Sequence, residues 1–178
     1  MADMFVHSAQ PGDAAMIARI QVRTWRAAYR EVLPSPALDE ATSPAAEQQW
    51  QHNWQEAIAH PPSKRHAVLV ATESDRVVGF AAIEPAGDSD CLPATDAEML
   101  TLLVDPEAGR RGHGSRLLAA AADHLRAHGF VTAVTWIFAD DAVTRSFLES
   151  AGWGFDSAHR DLDMGELVRQ LRLHTSLT

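Results

Sequence analysis

Between Val104 and Leu118 the sequence reads VDPEAGRRGHGSRLL, and the residue types in it suit one task, holding an anion. Pro106 fixes a turn after an apolar run. Gly109-Arg110-Arg111-Gly112-His113-Gly114 then supplies glycines and cations, and Ser115 leads into a helix whose apolar periodicity begins at Leu117. The first N–H groups of a helix have no intrahelical partner, and the aligned peptide dipoles place partial positive charge there, so a phosphate is a natural ligand. Gly112 and Gly114 lack a Cβ, which lets successive amides converge and a phosphate approach the main chain. The competing reading is an ordinary strand-to-helix turn with two solvated arginines, and the flanking elements must decide between them.

Aromatic side chains form the second group of interest. Ala18, Val22, Trp25 and Tyr29 repeat at spacings of four, three and four residues along a helix expected from Pro11-Gly12-Asp13 to about Arg30. Met16, Ile17, Ile20 and Thr24 make its other, core-facing stripe. After a Pro-containing link from Val32 to Thr42, Ser43 is a good N-cap with Pro44 at the first helical position. Trp50, Trp54, Ala57 and Ile58 share one face of that next helix. The two aromatic stripes can pack on each other, as buried helix contacts, as a pocket wall, or as both.

Other polar groups point to less. Cys91 has no histidine near it in sequence and no helix start after it, so a nucleophile role has little support. The polar loop 85–96, with its acids and Cys91, lacks metal-ligand spacing and reads as solvated surface. His124 and His128 lie one helical turn apart, but no third ligand accompanies them and the dipole favours histidines late in a helix.

The elements that would position the loop follow in order. A short strand covers residues 4–9, and 66–72 and 76–84 form a hairpin turned by Glu73-Ser74-Asp75. Glu98 to Val104 is almost continuously apolar, as expected of a central strand covered on both faces. A helix from Gly112 to His128 stops at Gly129 and leads to a strand over Val131 to Ala139, which implies a parallel pair with a right-handed crossover. Another helix spans Asp141 to Ala151, and 156–164 with 167–174 read as a closing strand pair. No internal repeat or linker divides the chain, so one domain over 1–178 is expected.

With 178 residues the chain can bury roughly 70% of its unfolded surface without a disulfide or metal. A formal charge of −9 argues against a general nucleic-acid or anionic-membrane partner, while leaving an anionic cofactor open because exposed charges are screened beyond about 8 Å. A single cysteine, no basic-then-apolar leader and no apolar run of about 18 residues suggest a soluble, cytoplasmic protein.

The loop and the order of elements around it resemble the GCN5-related N-acetyltransferase (GNAT) family. That family's pyrophosphate loop has the form Gln/Arg-x-x-Gly-x-Gly/Ala. Two glycines match, while Gly109 stands where Gln or Arg is expected. Phe147-Leu148-Glu149-Ser150-Ala151-Gly152-Trp153 is similar to the family's Phe-Tyr-x-x-x-Gly-Phe segment, with Asp141 where Asn is common. Leu148 occupies the place of a tyrosine that often protonates the departing thiolate. The helix carrying Trp25 and Tyr29, with Leu33-Pro34 after it, looks like the family's acceptor side.

The resemblance implies an α/β fold: a mixed, mostly antiparallel sheet with a splayed parallel strand pair and flanking helices. It implies acetyl-CoA as co-substrate, no metal, and direct attack by an acceptor amine in a ternary complex. Gly109, Arg110, Arg111, Gly112, His113, Gly114 and Ser115 would hold the pyrophosphate, Leu102, Leu103 and Val104 the pantetheine amides, with Asp141 and Phe147 beside them. Glu98 would be the base, acting through water. Tyr29, Ser146 or water would supply the proton that Leu148 cannot. Trp25, Tyr29, Trp50 and Trp54 would wall the acceptor pocket, and the terminal strand pair offers an edge for a homodimer. Two alternatives remain at this point. The departures at Gly109 and Leu148 fit a degenerate acetyl-CoA-binding or regulatory protein. A dinucleotide-binding module fits less well, since the strand-first G-x-G-x-x-G order and an acidic ribose partner are missing.

Overall fold

In the computed structural model, residues 3–178 are described, and they build one seven-stranded sheet in the order β1-β2-β3-β4-β5-β7-β6. The strands are β1 (Met4–Ser8), β2 (Ala67–Glu73), β3 (Arg76–Pro85), β4 (Asp96–Val104), β5 (Thr132–Phe138), β6 (Gly154–Asp163) and β7 (Leu167–Ser176). Every neighbouring pair is antiparallel except β4–β5. The β2–β3 hairpin turns where the sequence places Ser74 and Asp75. Both have positive φ, 49° and 64°, as a two-residue turn matched to the strand twist requires.

The helices are α1 (Ala14–Ala28), α2 (Ser35–Ala41), α3 (Pro44–Ala59), α4 (His113–Ala127) and α5 (Ala142–Ser150). They cover the two faces of the sheet. On one face Leu117, Ala121 and Leu125 of α4 and Leu148 of α5 pack with Ala81, Ile83, Ala97, Met99 and Trp153. On the other, Ile17 and Ile20 of α1 bury Val70 and Phe80, with Trp54 and Ile58 of α3 packed alongside. Ser43 caps α3 as expected, its hydroxyl accepting from Ala46 N–H at 3.1 Å.

Three expectations are corrected. The link 32–42 is not loop throughout: α2 forms inside it, with Pro36 in its first turn, where a missing N–H costs nothing, and buried Leu38 anchoring it. Loop 85–96 is not simply solvated surface, because Asp88 and Asp90 both bond Arg172 of β7. Nor is β4 covered on both faces along its length: Ala97 and Met99 are buried, but Leu100 is 47% exposed and residues 101–104 are half-buried. The reason is topological. β4 pairs with β3 as far as Val104 but with β5 only from Asp96 to Glu98, after which the two parallel strands part.

Candidate active site

That parting sets the geometry of the site. Beyond Glu98 one edge of β4 loses its strand partner, so an apolar strand presents unpaired main chain to a cleft. Thr135 bridges the apex, its hydroxyl donating to Met99 O at 2.7 Å. At the far end the Thr24 hydroxyl reaches Val104 O at 3.4 Å.

The glycine loop lies immediately past Val104. Asp105 is buried, accepts from Glu107 N–H at 3.0 Å and receives Arg23 at 3.3 Å, which fixes the turn. Arg110 and Gly112 both have positive φ, 62° and 84°, and Gly112 caps α4. No acceptor among the described residues meets the N–H groups of residues 110–115. A loop of free amides at a helix start is an anion cradle, and the helix dipole adds to it. Gly114 packs closely between two elements: a Cβ there would stand in van der Waals contact, 3.4 Å from the Phe147 ring and 3.8 Å from Val104. Strand end, loop and α5 therefore meet at one point, at Val104, Gly114 and Phe147.

The loop's side chains divide. Arg111 is bound to Glu73 at 2.7 Å and to Glu107 O at 3.3 Å, while Arg110 has no acidic partner among the described residues. The ring of His113 turns away from the loop mouth into the protein, 2% exposed and 3.8 Å from Glu73, so only its main chain faces the cradle. Burial pushes its pKa down against the pull of Glu73. Arg116 went unassigned in the sequence; its guanidinium folds back to bond Arg111 O at 3.0 Å and stands against Gly112. A cation one turn into a helix opened by a glycine loop is the available signal.

On the α1 side of the sheet the aromatic residues separate into two groups. Trp50 meets Trp25 edge-on at 5.5 Å, Trp25 lies 6.4 Å from Tyr29, and Tyr29 meets Phe138 at 5.1 Å, leading from α3 to the open end of β5. Trp54 is not among them. It packs on Phe80 at 5.3 Å and donates to Gln21 at 2.6 Å, as part of the core between α1, α3 and β3. A groove of about 750 Å³ opens between α2, α3 and the β6–β7 turn, lined by Trp50, Glu40, Asn53, Asp163 and Met164.

Asp141 caps α5, accepting from Thr144 N–H at 3.1 Å and from its hydroxyl at 2.6 Å, so both carboxylate oxygens are engaged. Burial, and then the nearby Asp141 charge, push the Tyr29 phenol well above its ordinary pKa. Glu98 sits at the apex, paired with Val134 and facing the α1 side together with Glu84. Partial burial raises its pKa, and Asp88 and Glu84 add to the rise. Leu148 is 1% exposed in the core under α5. Ser146 is exposed on α5.

Fold and site together define an α/β protein with a helix start of free amides beside an opened parallel strand pair. The chain belongs to the acetyltransferase (GNAT) family, whose model matches residues 24–153. It is 27% identical to the uncharacterized N-acetyltransferase YuaI of Bacillus subtilis over 132 residues, 74% of this chain and 70% of that one. Over 105 residues it is 35% identical to the mycothiol acetyltransferase of Rhodococcus erythropolis, covering 56% of this chain but only 32% of that longer protein. Among solved structures, the PaiA N-acetyltransferase of Thermoplasma acidophilum in complex with coenzyme A matches with a TM-score of 0.79 at 14% identity, over 98% of this chain and 99% of that one. YncA, a putative acetyltransferase from Salmonella typhimurium with acetyl-CoA, matches with a TM-score of 0.70 at 17% identity, over 98% and 94%.

Proposed function

We propose that this protein transfers the acetyl group of acetyl-CoA to a primary amine by direct attack within a ternary complex. The carrying observation is the parting of β4 from β5 immediately after Glu98, which sets unpaired main chain, an amide-lined loop and a carboxylate around one cleft. Acetyl-CoA supplies the activated thioester. Residues 110–115 and the guanidinium groups of Arg110 and Arg116 bind its pyrophosphate. Charge-assisted hydrogen bonds of about 1.5–3 kcal/mol each make a few of them enough for micromolar affinity. The free edge of Leu102 to Val104 holds the pantetheine amides, and main-chain N–H groups near it polarise the thioester carbonyl.

On the other face Glu98 takes a proton from the acceptor ammonium, through water. Its raised pKa suits a base, which works best when its pKa approaches the working pH. Tyr29 serves the departing sulfur as a hydrogen-bond donor rather than as a free proton source. Its phenol holds the proton more tightly than a thiol of pKa about 8.5 does, so full transfer runs uphill: the sulfur leaves as the hydrogen-bonded thiolate, and the proton taken from the acceptor passes from Glu98 to solvent. Trp25, Tyr29 and Trp50 wall the acceptor side, and Trp54 supports it from the core. The acidic lining of the adjoining groove favours a cationic amine.

The burial of Leu148 supports a second reading, an acetyl-CoA-binding protein without turnover. One experiment separates the two. Acetyl-CoA is incubated with the protein and a panel of spermidine, phenethylamine, lysine and alanine-initiated peptides, and free CoA thiol is followed. Amine-dependent thiol release supports the transferase; thermal stabilisation by acetyl-CoA with no thiol release from any amine supports the second reading.

A further inference from the structure

Arg172 lies mid-strand in β7 with its side chain only 8% exposed, and nothing in the chemistry above uses it. Its Nε donates to Asp156 of β6 at 2.6 Å, and its two terminal nitrogens reach Asp88 at 3.0 Å and Asp90 at 2.7 and 2.6 Å. One guanidinium thus ties β6 and β7 to loop 86–95, the segment leading into β4. Three carboxylates around one cation leave a negative balance. Asp88 is held a second time, by the indole N–H of Trp136 at 3.0 Å, and Trp136 is the register partner of Arg172 in β5.

Glu98 stands next to this assembly. It pairs with Val134, two residues before Trp136 on the same face of β5, so Glu98 lies on the sheet face that carries the indole holding Asp88. The charged groups facing Glu98 are Glu84 from β3, Asp88 from the loop, Arg160 from β6 and Arg172 from β7. Val134 and Trp136 of β5 carry no charge, and exposed His174 of β7 lies opposite Val134. Arg160 is itself fixed, with its Nε on Gln170 at 2.7 Å and its guanidinium 4.2 Å above Trp136.

We propose that Arg172 and Asp88 are positioning residues for the acceptor side: Arg172 pins loop 86–95 across β5 so that the Asp88 carboxylate stands beside Glu98. The inference rests on Glu98 being the base. Asp90, 62% exposed, holds Arg172 from the solvent side, whereas the double hold by Arg172 and Trp136 fixes the Asp88 carboxylate in one place. After burial, Asp88 is the foremost influence raising the Glu98 pKa, whereas Arg160 and Arg172 lower it.

The test reads Glu98 directly. Carbon-13 NMR of protein labelled at glutamate carboxyls follows its titration, the resonance being identified by its loss in Glu98→Gln. Asp88→Asn removes one negative neighbour, so the midpoint moves to lower pH. Asp90→Asn breaks more bonds to Arg172 but does not border Glu98, so the midpoint stays. An unmoved midpoint in Asp88→Asn, or an equal shift in both variants, overturns the proposal. Arg172→Met is expected to lose about ten- to hundredfold in kcat/KM for the best amine of the panel, with Arg172→Lys recovering part. Unchanged kcat/KM in Arg172→Met also counts against it. Should Arg172→Met fail to fold, the Asp88→Asn and Asp90→Asn pair still decides. Wild-type turnover by Glu98→Gln would overturn the reading of Glu98 as base while leaving the titration result intact, so the two failures are told apart.

Discussion

The two sides of the cleft are built by different rules. The anion side is contiguous and made of main chain: from Arg110 to Ser115 the chain supplies free amides, and its demand on sequence is for a missing side chain at Gly112, where φ is positive. The proposed acceptor side is assembled from distant side chains, Tyr29 at the end of α1, Trp50 of α3, Glu98 of β4, Trp136 of β5 and Arg172 of β7. A site made of backbone is written as a local motif, whereas one made of side chains is written only in the topology. The difference also predicts what breaks each side.

The largest effect falls on the backbone side. Gly112→Glu places a bulky anion at φ 84°, where even a Cβ would stand 3.2 Å from the Arg116 guanidinium. Acetyl-CoA affinity measured by calorimetry is expected to fall by at least about a hundredfold, or ~2.7 kcal/mol. An unchanged Kd would move the anion site elsewhere. Glu98→Gln is the counterpart on the other side: acetyl-CoA binding stays, while kcat/KM drops by about 10²–10⁴. Because the Glu98 pKa is raised, wild-type activity climbs with pH through a value above the ordinary carboxylate range, and the variant loses that limb. Weakened acetyl-CoA binding in Glu98→Gln would erase the division between the two sides.

A second pair of variants tests the division inside the aromatic set. Trp54→Ala opens the core against Phe80 and leaves Gln21 without its 2.6 Å partner, so it is expected to cost about 3 kcal/mol and lower Tm by several degrees, with the acceptor KM little changed. Trp25→Ala, in the row leading to Phe138, is expected to raise the acceptor KM severalfold. If the two variants behave alike, the row from Trp50 to Phe138 is packing and not a wall.

The sequence carried much of the frame and, of the candidate site, the contiguous loop. The hairpin at Ser74-Asp75, the Ser43 cap and the helix opened by Gly112 were legible because each depends on residues a few positions apart. The splay of β4 from β5 was reachable only through the family resemblance, since an apolar strand such as Leu100 to Val104 looks the same whether its neighbour covers it or departs. Trp54 and Trp50 have identical spacing logic on α3, and only the position of α1 and β3 sends one to the core and the other to the groove. Arg172 lies 84 residues from Asp88, beyond any local pattern. His113 belongs to the loop through its amide, and only the fold shows that its ring is buried near Glu73.

The smallest expected effect concerns the residue that departs from the family loop. Gly109 has φ −62° and ψ 156°, extended backbone open to any side chain, and a Cβ there would meet only Pro106 O at 3.4 Å. Its lack of a side chain is therefore not demanded by the turn, in contrast to Gly112. Gly109→Gln should fold, gain about 0.4–1 kcal/mol by restricting the unfolded chain, and raise Tm slightly. If the cradle lacks the polar contact made by Gln or Arg in the family, the same variant tightens acetyl-CoA binding about threefold to tenfold, the worth of one hydrogen bond. If Tm rises while Kd stays fixed, Arg110 and the back-folded Arg116 already make that contact, and the chain has moved the function of one loop position onto two of its neighbours.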